Sequence, residues 1–119
     1  MLEKGDLLTV LKRTALKESL KITRGGRFFH LIGIHQDKGK AVQIVKNIFI
    51  RNLKEPLVSI GIGDSENDIP MLENVDIPVL IPHPDGHYED VSLKNLRKAS
   101  FPGSKGWNDA VGSLIDALL

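Results

Sequence analysis

Apolar residues recur along this chain in two rhythms, one helical and one extended. Leu7, Leu8, Leu11, Ala15 and Leu16 fall three and four apart with lysines and arginines between them, which predicts an amphipathic helix that Asp6 can cap. Residues 20–23 and 28–34 read as strands. Gly25-Gly26 between them is a hairpin signal, because both central positions of the favoured turn need positive φ. The polar run Gln36-Asp37-Lys38-Gly39-Lys40 opens a second helix, and Ala41, Val42, Ile44, Val45, Ile48 and Phe49 give it a broad apolar face, which predicts a well-covered helix. Residues 52–56 read as a loop and 57–62 as a short buried strand that breaks at Gly63. A short helix through Met71 and Leu72 follows, ending near Glu73 or Asn74, and then a further strand over 77–81. Residues 82–87 are turn-rich, and 93–100 have room for a short edge strand. Residues 102–106 read as a loop, and 107–118 as a terminal amphipathic helix using Ala110, Val111, Leu114, Ile115 and Leu118.

From Lys38 onward helix and strand alternate, which implies a parallel sheet with right-handed crossovers and an α/β fold. Only two of its strands have a strong pattern. So thin a sheet has edges that want covering, and this predicts either self-association or membership of something larger. At 119 residues the chain is one ordinary domain or a piece of a larger one.

Composition narrows the function classes. A formal net charge of +1 gives no electrostatic case for nucleic acid or an acidic membrane as partner. The absence of cysteine excludes disulfides, thiolate metal sites and cysteine nucleophiles, and fits a cytoplasmic protein. No apolar run approaches the length needed to cross a bilayer, and residues 1–4 do not open a signal peptide.

Candidate chemistry gathers where the strand over 57–62 ends. Gly63 opens onto Asp64, and Ser65, Asn67 and Asp68 lead into the short helix. In parallel α/β sheets, ligands bind at the carboxyl ends of strands. Two carboxylates four apart with an amide between them suit a hard cation such as Mg²⁺, which takes oxygen ligands and keeps several waters. The same residue types also cap helices, so spacing leaves both readings open. His83 and His87 are four apart as well, but in a Pro/Gly loop without a third ligand, which favours solvated loop residues over a zinc site. Trp107 reads as a packing anchor for the last helix, and Lys105-Gly106 just before it as a weak anion site.

Gly63-Asp64-Ser65-Glu66-Asn67-Asp68 resembles the GDxxND signature of haloacid-dehalogenase-type phosphatases, and Asp37-Lys38-Gly39-Lys40-Ala41 resembles their lysine motif. Thr23-Arg24-Gly25-Gly26-Arg27-Phe28-Phe29 and Pro102-Gly103-Ser104-Lys105-Gly106-Trp107-Asn108 are similar to the mannosyl-3-phosphoglycerate phosphatase branch, whose cap is of the α/β, Cof-like type. The resemblance implies a partial Rossmann-like core over 35–119, preceded over 1–34 by the last helix and hairpin of a cap domain. It implies Asp64 as a Mg²⁺ ligand and Asp68 as a support of the metal site from the next turn, with Ser65 and Asn67 orienting the ligands or a metal-bound water. Lys38 would be the catalytic cation that neutralises the phosphoryl group, and Arg27 a grip on a substrate carboxylate or phosphate. Phosphoryl transfer is mostly charge placement, so cation and metal match the developing negative charge. The implied substrate is a phosphorylated sugar-glycerate.

One part of that family's pattern is missing. Its nucleophile is the first aspartate of an Asp-x-Asp at the end of a strand, and this sequence contains no Asp-x-Asp. The expectation is therefore the carboxy-terminal part of such a phosphatase, inactive alone. The alternatives are a non-catalytic module that binds Mg²⁺ or phosphate, pairing with an amino-terminal half on another chain, and a self-associating homo-oligomer.

Overall fold

A computed structural model describes residues 4–119. The first helix spans Lys4–Lys17 (α1) and ends as Ser19 turns to a positive φ of 57°. Leu20–Arg24 (β1) and Phe29–Gly33 (β2) form the expected antiparallel hairpin, with Lys21 opposite Ile32 and Thr23 opposite His30, but the connection runs over 25–28 and neither Gly25 nor Gly26 takes the expected positive φ. Side chains alternate along a strand, so Lys21, Thr23, His30 and Ile32 share one face of the hairpin. α1 packs against β1.

Lys38–Leu53 (α2) starts where the polar run places it. Asp37 is the N-cap, its carboxylate accepting from the Lys40 N–H at 2.8 Å. The helix outruns the sequence reading, which placed a loop from residue 52. The Asn52 side-chain amide donates to the Ile48 carbonyl at 2.8 Å, and Lys54 closes the helix in a left-handed conformation with φ 52°. Gly39 is buried because the next layer lies directly against it: a Cβ there would collide with the Pro70 carbonyl.

The parallel sheet holds Ile60–Gly63 (β3), Ile77–Leu80 (β4) and Arg97–Lys98 (β5), in the order β3-β4-β5. β5 lies inside the stretch that had room for an edge strand. β3 opens three residues later than its apolar run, where the Asp76 carboxylate takes up the Ser59 N–H and hydroxyl at 2.8 and 2.6 Å. Between β3 and β4 a 3₁₀ turn, Glu66–Asp68, runs into the short helix Ile69–Leu72 (α3). The last helix, Gly103–Leu118 (α4), begins four residues ahead of the expected start. Gly103 enters it at φ 63°, and Gly106 is buried so closely on the Phe101 carbonyl that a Cβ would overlap it. Two glycines that signal a loop in sequence are here conditions for the first turn.

The core joins Val79, Ile81, Ala99 and Leu114, flanked by Ile60, Ile62, Ile77 and Ala110, so α4 covers one face of the sheet. The apolar face of α2 is not well covered, contrary to expectation: Ile44, Val45, Ile48 and Phe49 are each about half exposed. A hollow of about 340 Å³ separates part of that face from β3, lined by Val42, Val45, Phe49, Leu57, Ile60 and Met71. β3 is also an edge strand of its sheet. The α/β architecture, partial sheet and preceding helix–hairpin are those implied by the sequence.

Candidate active site

The site is made by a loop that folds back on itself at the carboxyl end of β3. Gly63 is where the chain reverses, and a Cβ there would run into the Asp68 side chain. The 3₁₀ turn then brings Asp68 back beneath the loop, its N–H donating to the Ser65 carbonyl at 2.9 Å. One oxygen of the Asp68 carboxylate accepts from the backbone N–H groups of Asp64 and Ser65, at 3.0 and 3.3 Å. The other accepts from the Lys38 ammonium at the start of α2. Asp68 is buried, so desolvation pushes its pKa up. The Lys38 ammonium and the two N–H groups outweigh that and hold the carboxyl below its ordinary value. The buried anion thus ties Lys38 to the β3 loop across 30 residues of sequence.

Asp64 is different. It is exposed, and one of its oxygens accepts from the Ser65 hydroxyl at 2.8 Å. That hydroxyl also lies 3.2 Å from the Asn67 side-chain oxygen and 3.4 Å from Asp68, but it has a single proton to give, and Asp64 is its nearest acceptor. Ser65 therefore orients the Asp64 carboxylate. Beside Asp64 lies a hollow of about 300 Å³, with Asp68, Gly103, Ser104 and Trp107 also on its walls. Lys38 and Asn67 line a larger cavity of about 790 Å³, whose opposite wall is the hairpin face carrying Thr23 and His30.

The oxygen-only donor set fits a hard cation such as Mg²⁺, with an asymmetry between the two aspartates. Asp64 presents an open carboxylate, whereas both Asp68 oxygens already accept hydrogen bonds within the protein. No group of three or more acidic, histidine or cysteine side chains converges among the described residues. Of the two carboxylates, Asp64 is the one left open at the loop, and Asp68 lies behind it.

Other candidates from the sequence fall elsewhere. Arg27 is exposed at the hairpin tip and does not line the large cavity. His83 is mostly buried and bonds Glu89 at 3.0 Å while its ring stacks on that of His87, 4.3 Å away, so His83 is built into its loop, whereas His87 is exposed to solvent as expected. Lys105 pairs with Asp109 at 3.1 Å and lies over the Phe101 ring, which leaves it committed. Trp107 is half exposed on the wall of the Asp64 hollow, not a buried anchor. Thr23 and His30, neither of them a site candidate in sequence, are strand partners on the hairpin face that walls the cavity, and the period-two alternation of the hairpin is the signal that pairs them.

Among the described residues no helix is long and apolar enough to cross a membrane. The profile of the haloacid dehalogenase-like hydrolase family matches residues 5–82. The chain is 55% identical over 108 residues to the glucosyl-3-phosphoglycerate/mannosyl-3-phosphoglycerate phosphatase of Persephonella marina, an overlap of 91% of this chain and 40% of that protein. The phosphatase of the same name from Methanococcoides burtonii is 44% identical over 97 residues, 81% of this chain and 35% of its own length. A phosphoglycolate phosphatase from Thermoplasma volcanium is 34% identical over 112 residues, covering 93% and 45%. The chain thus spans about two fifths of the length of these curated relatives. Family profile, α/β architecture and the loop at the end of β3 agree, and the chain belongs to the haloacid dehalogenase-like hydrolases.

Proposed function

We propose that these residues form one part of the active site of a Mg²⁺-dependent phosphatase that releases phosphate from a sugar-phosphoglycerate. The reading rests on the Lys38–Asp68–Asp64 constellation, which sets an ammonium and an open carboxylate at the mouth of the same loop. The similarity to phosphatases named for glucosyl- and mannosyl-3-phosphoglycerate supports the substrate class. Lys38, half exposed, meets the phosphoryl oxygens as a compact point charge. Asp64 would hold Mg²⁺, with Ser65 and Asn67 orienting the ligands or a metal-bound water, and Asp68 fixes loop and lysine relative to each other. When bound, Mg²⁺ supplies further positive charge against the phosphoryl oxygens.

A nucleophilic carboxylate is the missing part, since the sequence holds no Asp-x-Asp. We assign it to a further segment, on a longer protein or a separate chain, which meets the free edge of β3 and the apolar hollow under α2. In this assignment residues 1–34 belong to the cap and 35–119 to the core of a cytoplasmic enzyme. Alone, the chain is expected to release negligible phosphate from mannosyl-3-phosphoglycerate. Adding the amino-terminal part of the Persephonella marina relative should restore turnover, and Lys38→Ala should abolish it again. Formation of that complex without turnover would overturn the proposal, as would ordinary enzyme rates from the chain alone.

A second reading is a self-associating, non-catalytic module, and the half-exposed apolar face of α2 favours it. Sedimentation separates the two. A homo-oligomer that the amino-terminal segment does not dissociate supports the module.

A further inference from the structure

We infer that Thr23 and His30 form the subsite that recognises the carboxylate of the phosphate ester's leaving group. The proposal rests on the phosphatase reading above and adds to it the residues that select the substrate.

The two residues are directly opposite each other in the hairpin, so their side chains emerge side by side on one face. That face forms a wall of the 790 Å³ cavity whose other wall carries Lys38 and Asn67. Pockets for small organic ligands run to roughly 300–1,000 Å³, so this cavity has room for a whole phosphorylated hydroxy acid, not a phosphoryl group alone. β1 lies against the 3₁₀ turn that holds Asn67, which keeps the two walls close.

The remaining cations on this cavity are already engaged. Lys38 is ion-paired to Asp68, and Lys21 lies 3.6 Å from Asp37. Arg27 is off the cavity. Neither the His30 ring nor the Thr23 hydroxyl makes a side-chain hydrogen bond among the described residues, and His30 is exposed to the cavity. Both can donate: the imidazole from a ring N–H, and threonine from its hydroxyl. Donors side by side on a sheet face suit the two oxygens of a carboxylate, a geometry a phosphoryl site does not require.

The His30 ring is also held in place. It lies over Gly25, and a Cβ at residue 25 would overlap its Nε2. Gly25 is itself fixed by its N–H bond to the Phe28 carbonyl at 2.8 Å. The glycine pair of the turn therefore does more than reverse the chain, since Gly25 leaves the space in which the imidazole sits. Glu66 and Glu73 line the same cavity on the α3 side. The third carboxylate on the cavity, Asp37, is paired with Lys21, so a carboxylate ligand is repelled chiefly on the α3 side, where hydroxyl groups find acceptors.

The test compares three probes on the chain with Mg²⁺ present, by calorimetry and by the ring signals of His30 in NMR: 3-phosphoglycerate, glycerol 3-phosphate, which lacks the carboxylate, and D-glycerate, which lacks the phosphate. 3-Phosphoglycerate should bind about tenfold tighter than glycerol 3-phosphate, as expected for charge-assisted hydrogen bonds. His30→Ala and Thr23→Val should bring that ratio close to one while leaving glycerol 3-phosphate affinity unchanged. A ratio near one in the unsubstituted chain, a ratio that survives both substitutions, or no binding of 3-phosphoglycerate or glycerate at millimolar concentration would each overturn the subsite. Glycerate binding that requires His30, together with phosphate-ester binding indifferent to Lys38→Ala, would keep the subsite and overturn the phosphatase reading.

Discussion

Replacing Asp68 tests whether the loop at the end of β3 is organised by its buried carboxylate. Asp68→Ala removes the acceptor for the N–H groups of Asp64 and Ser65, bonded at 3.0 and 3.3 Å, and leaves the Lys38 ammonium unpaired. An orphaned buried donor costs about 1–3 kcal/mol, but Asp64 is exposed and water can reach its N–H. The Lys38 side chain is 51% exposed, so losing its ion pair adds only about 0.2–1 kcal/mol after screening. The sum is a loss of about 1–4 kcal/mol. Lys38→Met, which removes the ion pair and keeps both backbone bonds, should cost less than about 1 kcal/mol. Asp68→Asn keeps an oxygen for the backbone and should fall between. Urea unfolding at neutral pH, followed by circular dichroism, gives the three values. Equal losses for Asp68→Ala and Lys38→Met would refute the reasoning, because the ion pair would then carry the effect.

The same group sets a pH dependence. Its folded pKa lies below the ordinary carboxylate value, so at acid pH the unfolded chain binds the extra proton first. Asp68's contribution is complete above its unfolded pKa of about 3.9 and is lost as pH falls through the lower folded value. Stability of the unsubstituted chain should therefore drop more steeply below about pH 4 than that of Asp68→Asn. Parallel acid limbs for the two would count against the assignment.

Three further outcomes check other parts of the account. Gly39→Ala should cost about 1–3 kcal/mol in urea, since its methyl group meets the Pro70 carbonyl and forces α2 away from α3; an unchanged midpoint would contradict that packing. Leu80→Ala, at a fully buried position of β4, should lower stability by about 2–5 kcal/mol, and a loss below that range would mean the sheet is not packed as described. Asp64→Asn should leave stability within about 0.5 kcal/mol, because the residue is exposed, yet abolish the calorimetric heat of Mg²⁺ binding; retained binding would remove Asp64 from the metal site.

The elements whose signals are local were legible in the chain. α1, the hairpin and the start of α2 follow from apolar periodicity, the chain break at the glycine pair and the Asp37 cap, each acting within a few residues, although the hairpin connection does not use the positive φ that the glycines allow. α4 was misplaced at its start because Gly103 and Gly106 are loop formers by propensity. Their value here is contextual, since only the packed position of Phe101 makes a bare Cα necessary at residue 106. The covering of α2 was misjudged for the opposite reason. Periodicity states that a helix has an apolar face and is silent on what meets it, and within the described residues Ile44, Val45, Ile48 and Phe49 are each left about half exposed.

The acidic loop from Gly63 to Asp68 divides along the same line. Its residue types and spacing alone left a metal site and a helix cap equally open, and the family signature tipped the balance. The family resemblance already implies a ligand in Asp64 and a support in Asp68, and the geometry that separates the two exists only in the fold. Asp64 and Asp68 are alike as residue types, but the reversal at Gly63 turns one carboxylate outward and draws the other beneath the loop onto two N–H groups and Lys38. Thr23 and His30 became neighbours in the same way, through strand pairing seven residues apart. Short-range chemistry writes caps, turns and periods into the sequence, whereas charge pairing and cavity walls depend on distances that exist only once the chain has folded.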